Sequence, residues 1–105
     1  MSVSEKQLQQ SRFWRKYLRL SRAGVPILRA FEIMSEEEPD AAFAEVLAAL
    51  LGHLRDGVSL SDALQRFPKV FALSSVELVR TAERRGAWDE ILQELSEGLA
   101  DGTFP

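Results

Sequence analysis

The chain has 105 residues, no cysteine, a net charge of −3 and 46% apolar side chains, which suits one domain with a single core. That composition excludes a disulfide framework, a thiolate metal site and a thiol nucleophile. No apolar run approaches the roughly 20 residues of a membrane-spanning helix, and the polar opening Met1–Gln7 lacks a signal-peptide core, so a soluble, cytoplasmic protein is expected.

The net charge hides a split. Residues 1–35 hold seven Lys/Arg against two Glu, and residues 36–105 hold six against fourteen Asp/Glu. Such polarisation acts on association more than on fold.

Helix 1 is expected over about Ser4–Arg22. Phe13, Trp14, Tyr17, Leu18 and Ser21 lie on one stripe, and Arg12, Arg15, Lys16, Arg19 and Arg22 on another. The first reading is a core face backed by solvated charge. The second is a docking face for an acidic protein or for anionic lipid headgroups. Nucleic acid is disfavoured, because the rest of the chain is acidic and repels phosphate.

Gly24 supplies a left-handed helix stop, and Pro26 is placed at the first position of helix 2, about Pro26–Ser35. Ile27, Ala30, Phe31 and Met34 turn its apolar face toward helix 1. The acidic run Glu36–Asp40 separates it from helix 3. Its charge suits a helix N-terminus, but it lacks the Asp-rich spacing of a calcium loop, so no metal is expected. Helix 3, about Asp40–Asp56, carries the clearest apolar stripe: Phe43, Val46, Leu47, Leu50, Leu51 and Leu54. His53, the single histidine, lies at its edge with no partner at catalytic spacing.

Asp56-Gly57 stops helix 3, and Ser59 with Asp62 resembles a capping box for the short helix 4, Leu60–Phe67. Pro68 ends it. Val70–Leu73 is expected to tuck into the core, and Ser74 with Glu77 to cap helix 5, which runs to about Arg84 with Val76, Val79 and Ala82 inward. Gly86 breaks the chain before helix 6, about Ala87–Leu99, with Trp88, Ile91, Leu92, Leu95 and Leu99 on one face. Residues 100–105 are expected to fray. Trp14 and Trp88 are read either as core or as contacts of a homodimer.

No stretch alternates with period two. The fold expected is all-α: a compact bundle of six antiparallel helices joined by loops of two to six residues. It forms one domain over residues 1–105, with its core at about 8–99. Walker and dinucleotide glycine patterns, His-Glu-x-x-His and a nucleophile elbow are all missing. Glu77, Glu83, Asp89, Glu90, Glu94 and Glu97 are spaced as solvated helix faces rather than as a catalytic pair. No catalytic residue, no cofactor and no metal ligand is expected, and the residues describe a helical interaction domain.

Three segments together resemble the cytoplasmic domain of the type II secretion system F protein family, which includes the type IV pilus platform proteins. Leu20–Phe31 is similar to its Leu-x-x-Ala-Gly-x-Pro-Leu-x-x-Ala-Leu signature. Gly57–Leu64, leading into Phe67-Pro68 and Phe71, is similar to Gly-x-Ser-Leu-Ser-x-Ala-Leu…Pro…Phe. Val79–Leu92 is similar to Gly-Glu-x-x-Gly-x-Leu-x-x-x-Leu, with Ala82 in place of the first Gly and Trp88 in place of a Leu.

The resemblance implies a six-helix bundle and a non-enzymatic module at the cytoplasmic face of the inner membrane. It implies partners among the assembly ATPase and other platform proteins. Gly24 and Pro26 then stand at the helix 1–2 turn, Gly57, Ser59 and Leu60 with Pro68 at the corner, and Glu83 and Gly86 at the helix 5–6 turn. Glu83 is expected to accept amides of that turn, or else to reach a partner or an ion. The family also has transmembrane helices and a second copy of this domain, which this stretch does not contain. Read as a free-standing protein, it would instead be regulatory, or a peripheral membrane or nucleic-acid binder acting through the basic face of helix 1.

Overall fold

A computed structural model describes residues 2–105. Six helices follow one another: α1 (Glu5–Arg22), α2 (Ile27–Glu37), α3 (Ala41–Arg55), α4 (Leu60–Gln65), α5 (Leu73–Arg85) and α6 (Trp88–Asp101). No strand occurs among the described residues, and no helix there is long and apolar enough to cross a membrane. Each helix packs on its neighbour in the chain, and α6 closes back onto α1, so the six form a ring.

The long first helix sets the ring's interior. It opens with a reciprocal capping box that the sequence reading passed over. Gln7 N donates to Ser4 Oγ (3.1 Å), and Ser4 N donates to Gln7 Oε1 (2.8 Å). Phe13, Trp14, Tyr17 and Leu18 are buried as expected, together with Gln10 and Ser11. Ser21 is exposed instead. The covered stripe is therefore centred one turn nearer the N-terminus, where α6 lies alongside. Ser11 Oγ donates to Ser96 O at 2.7 Å there, fixing the register of the two helices.

Phe13 meets four rings: Trp14 at 4.6 Å, Phe43 at 5.6 Å, Phe31 at 5.8 Å and Phe71 at 6.2 Å between centroids. These come from α1, α3, α2 and the crossing before α5, mostly edge-on or tilted, as ring quadrupoles prefer. Trp14 has no exposed surface, so it belongs to the core and not to an interface. Trp88 is half-buried against Tyr17 (6.3 Å).

Several local expectations need correction. Pro26 is the N-cap of α2 (ψ 153°), not its first helical residue. The Ser74–Glu77 capping box does not form. The extended residue is Ala72, so α5 begins at Leu73 and Ser74 already lies inside it with its buried hydroxyl unpartnered. Phe71 enters the core, but Leu73 is 66% exposed. The inward stripe of α5 is Ser75, Val76, Val79 and Ala82, and Leu73 falls well outside it at 100° per residue. The crossing between α4 and α5 takes seven residues, one more than expected.

The C-terminal segment is held rather than frayed. α6 continues to Asp101, and Gly102 (φ 85°) turns the chain back. Phe104 N donates to Gly98 O (3.0 Å), and Gln7 Nε2 donates to Phe104 O (2.7 Å). The Phe104 ring lies over Gly98 so closely that a Cβ there would meet it at 2.2 Å. Gly98 is therefore the bare patch on α6 that seats this ring.

Alanine in place of glycine inside a helix ordinarily stabilises by about 1 kcal/mol. Here Gly98→Ala must push Phe104 off and lose its packing, at a cost of about 1–3 kcal/mol. Urea unfolding should show Gly98→Ala destabilised in the native background and stabilised in a Phe104→Ala background. The same sign in both backgrounds would disprove the seat.

Candidate protein-docking site

The inward phase of Phe13, Trp14, Tyr17 and Leu18 forces Arg12, Arg15, Lys16 and Arg19 onto one outward line of α1, at i, i+3, i+4 and i+7. Facing them is the junction of α2 and α3, with Glu37, Glu38 and Pro39. Between lies a groove of about 380 Å³, bordered below by Phe13, Met34 and Leu47. Lys16 Nζ bridges it to the Glu37 carboxylate. Arg12, Arg15 and Arg19 are exposed and, among the described residues, make no ion pair.

Arg22, expected with this group, is spent elsewhere. Its guanidinium donates twice to the Asp89 carboxylate (2.8 Å each) and once to Gln93 (3.2 Å), tying the end of α1 to α6. That fork holds the Asp89 carboxyl below its ordinary range and the guanidinium above its own. Both groups are solvated, so the pair orders the surface more than it stabilises the fold.

The acidic run is likewise used one residue at a time. Glu37 takes Lys16. Glu38 Oε2 accepts from Asp40 N (3.0 Å). Asp40 Oδ1 accepts from Phe43 N (3.0 Å) as the N-cap of α3. That amide, with Gln9 second, lowers the Asp40 carboxyl below the usual carboxylate range. No cluster of three or more His, Asp or Glu among the described residues is placed to hold a metal ion. His53 Nδ1 faces the Arg66 guanidinium at 2.9 Å. Because that guanidinium can only donate, the nitrogen accepts.

Glu83 differs most from the sequence reading. It does not cap the α5–α6 turn. Its carboxylate reaches across to the first turn of α4, where Ser61 N donates to Oε2 (2.9 Å) and Ser61 Oγ to Oε1 (2.5 Å). Ser59 Oγ accepts from Asp62 N at 3.3 Å, so two side-chain oxygens serve first-turn amides of this short helix that have no intrahelical partner. Ser61 and Leu60 are each 2% exposed. With both oxygens engaged, Glu83 is a brace of the corner. Gly57 and Gly86 take φ of 86° and 71° to leave α3 and α5, a region L side chains avoid, and Gly24 does the same after α1 at φ 80°. Pro68 follows α4 on the surface.

Sequence reasoning missed Gln7 and Ser11. The Ser4-x-x-Gln7 pattern was a visible signal for the first. Nothing local marks Ser11, whose partner is 85 residues away.

Residues 13–102 match the family described as "Type II secretion system (T2SS), protein F". Over 84 residues the chain is 43% identical to the type 4 fimbrial assembly protein PilC of Pseudomonas putida, covering 80% of this chain and 21% of that protein. It is 31% identical over 84 residues to the type IV pilus assembly protein PilC of Myxococcus xanthus, covering 80% and 20%. Against the type II secretion system protein F of Xanthomonas campestris it is 32% identical over 77 residues, covering 73% and 19%. The chain thus spans about a fifth of the length of these relatives.

Two measurements check the brace. Glu83→Ala leaves the buried Ser61 amide and hydroxyl without their acceptor, and should cost about 2–3 kcal/mol in urea unfolding. A loss within error of zero would remove Glu83 from the corner. Tyr17 is the single tyrosine, so its titration is unambiguous. Burial, and secondly the Glu83 charge, push its phenol up to about 12. A raised pKa of this kind leaves stability intact below about pH 10, the unfolded value, and removes about 2–3 kcal/mol as pH rises toward 12. Tyrosinate absorbance should show Glu83→Gln lowering that pKa without returning it to 10.

Proposed function

The chain belongs to the type II secretion system protein F family, and from that premise we propose that it is a non-enzymatic helical module of an inner-membrane assembly platform for type II secretion or type IV pili. On this reading it lies at the cytoplasmic face of the membrane and holds the assembly ATPase or other platform components. The observation that carries it is the extent of the family match. Residues 13–102 take in α1 from Phe13 onward and the whole of the other five helices, so all or part of every helix falls within the match. The names of the relatives speak of fimbrial and pilus assembly and of secretion.

The side chains support the same reading. The α5–α6 carboxylates lie on the outer faces of their helices apart from Glu83, and Glu83 is bonded inward to Ser61. Polar chemistry concentrates instead on an outward line, Arg12, Arg15, Lys16 and Arg19, which suits contact with another macromolecule. The groove it borders serves as the partner face.

The immobilised chain should retain the cognate assembly ATPase or a platform component from a mixture of purified machinery proteins at low salt. Failure to retain any of them would overturn the reading.

A further inference from the structure

We infer that the groove between α1 and the α2–α3 junction seats an acidic α-helical segment of a protein partner, whose carboxylates pair with Arg12, Arg15 and Arg19. The inference rests on the docking role proposed above and specifies the chemistry of that site.

Three observations lead there. First, the three guanidiniums repeat at i, i+3 and i+7 on one helix, so their Cα positions step by roughly 4.5 and 6 Å along its axis. Carboxylates at the same intervals on a second helix have the same steps, and a helix laid beside α1 meets them in register. Second, the three make no ion pair among the described residues, whereas Lys16 is already matched by Glu37. Guanidinium also favours carboxylate through its paired donors. Third, the site is a trough with two unlike walls. The α1 wall is cationic and the opposite wall carries Glu37 and Glu38, over a floor reached by Phe13, Met34 and Leu47. A helix with acidic residues on one flank and basic or neutral ones on the other fits both walls.

The same features argue against other anionic partners. Among the described residues, the large apolar side chains most exposed to solvent are Leu28 and Leu73. Neither lines the groove, so nothing there would anchor in a bilayer beside the cations. On the opposite wall Glu37 is matched by Lys16, but Glu38, which makes no ion pair among the described residues, opposes an anionic membrane or a phosphate backbone brought flat against the groove.

The test uses a fluorescein-labelled, alanine-based helical peptide about four turns long. It carries Glu at i, i+3 and i+7 on one flank and Lys on the other. Anisotropy titration should show salt-sensitive binding to the native chain. Binding should weaken roughly tenfold or more in Arg12→Glu/Arg15→Glu/Arg19→Glu, and remain unchanged in Arg84→Glu/Arg85→Glu, which reverses two exposed charges on α5. A peptide of equal composition with scrambled Glu positions should bind several-fold more weakly. Circular dichroism checks that both variants keep the native helical signal, and single reversals replace the triple if it does not. Equal binding by the groove variant, or by the scrambled peptide, overturns the inference. So does tighter, arginine-dependent binding to phosphatidylserine vesicles or duplex DNA than to the peptide. If the triple variant still retains the assembly ATPase while the native chain does too, the groove assignment falls and the family role stands. If the native chain retains no machinery protein yet binds the peptide, the reverse holds.

Discussion

The fold depends on Phe13 facing inward. Its ring touches aromatic side chains from α2, α3 and the crossing before α5 as well as its own neighbour Trp14. No other aromatic side chain here meets as many rings. Because a helix has one phase, setting Phe13 inward also sets Trp14, Tyr17 and Leu18 inward and the arginines outward. Core and basic face are therefore two results of one rotation of α1. A substitution that loosened the aromatic centre would be felt on the basic line, because both ride on one helix.

The ring arrangement explains where the polar cross-links fall. A chain of helices that each touch their neighbours is closed by a single long-range seam, α1 against α6. Ser11 to Ser96, the Arg22–Asp89 fork and Gln7 to Phe104 all lie on that seam. The weakest local element is α4, six residues long and too short to hold itself in water. It receives the Glu83 brace and the Ser59 cap, while Leu60, Ala63 and Leu64 are buried beneath. Specific polar bonds are placed where backbone propensity is least able to act alone.

Much of this was legible in the chain. Helix phase follows from apolar spacing, and it placed Phe31 and Met34, the α3 stripe from Phe43 to Leu51, and the α6 residues Leu92, Leu95 and Leu99. Glycine stops at Gly24, Gly57 and Gly86 follow from local backbone preference. What was not legible depends on partners distant in sequence. Glu83 is set beside Gly86 by the family resemblance, which places both at the helix 5–6 turn. Its partner Ser61 is 22 residues back and is reached through packing. Phe104 looked like a free end because its seat, Gly98, shows only as a glycine in a helix. Of the basic residues, Arg12, Arg15 and Arg19 stayed outward as the periodicity required, while Arg22 was taken by Asp89 on a helix whose position no local pattern reveals.

The seam that ties residue 7 to residue 104, with Val3 beside Gly102, brings entry and exit of the polypeptide to one doorway. In a longer chain, segments attached on either side would leave from the same spot. A pull through either attachment would then bear on α1 and α6 together, the two helices that share the seam.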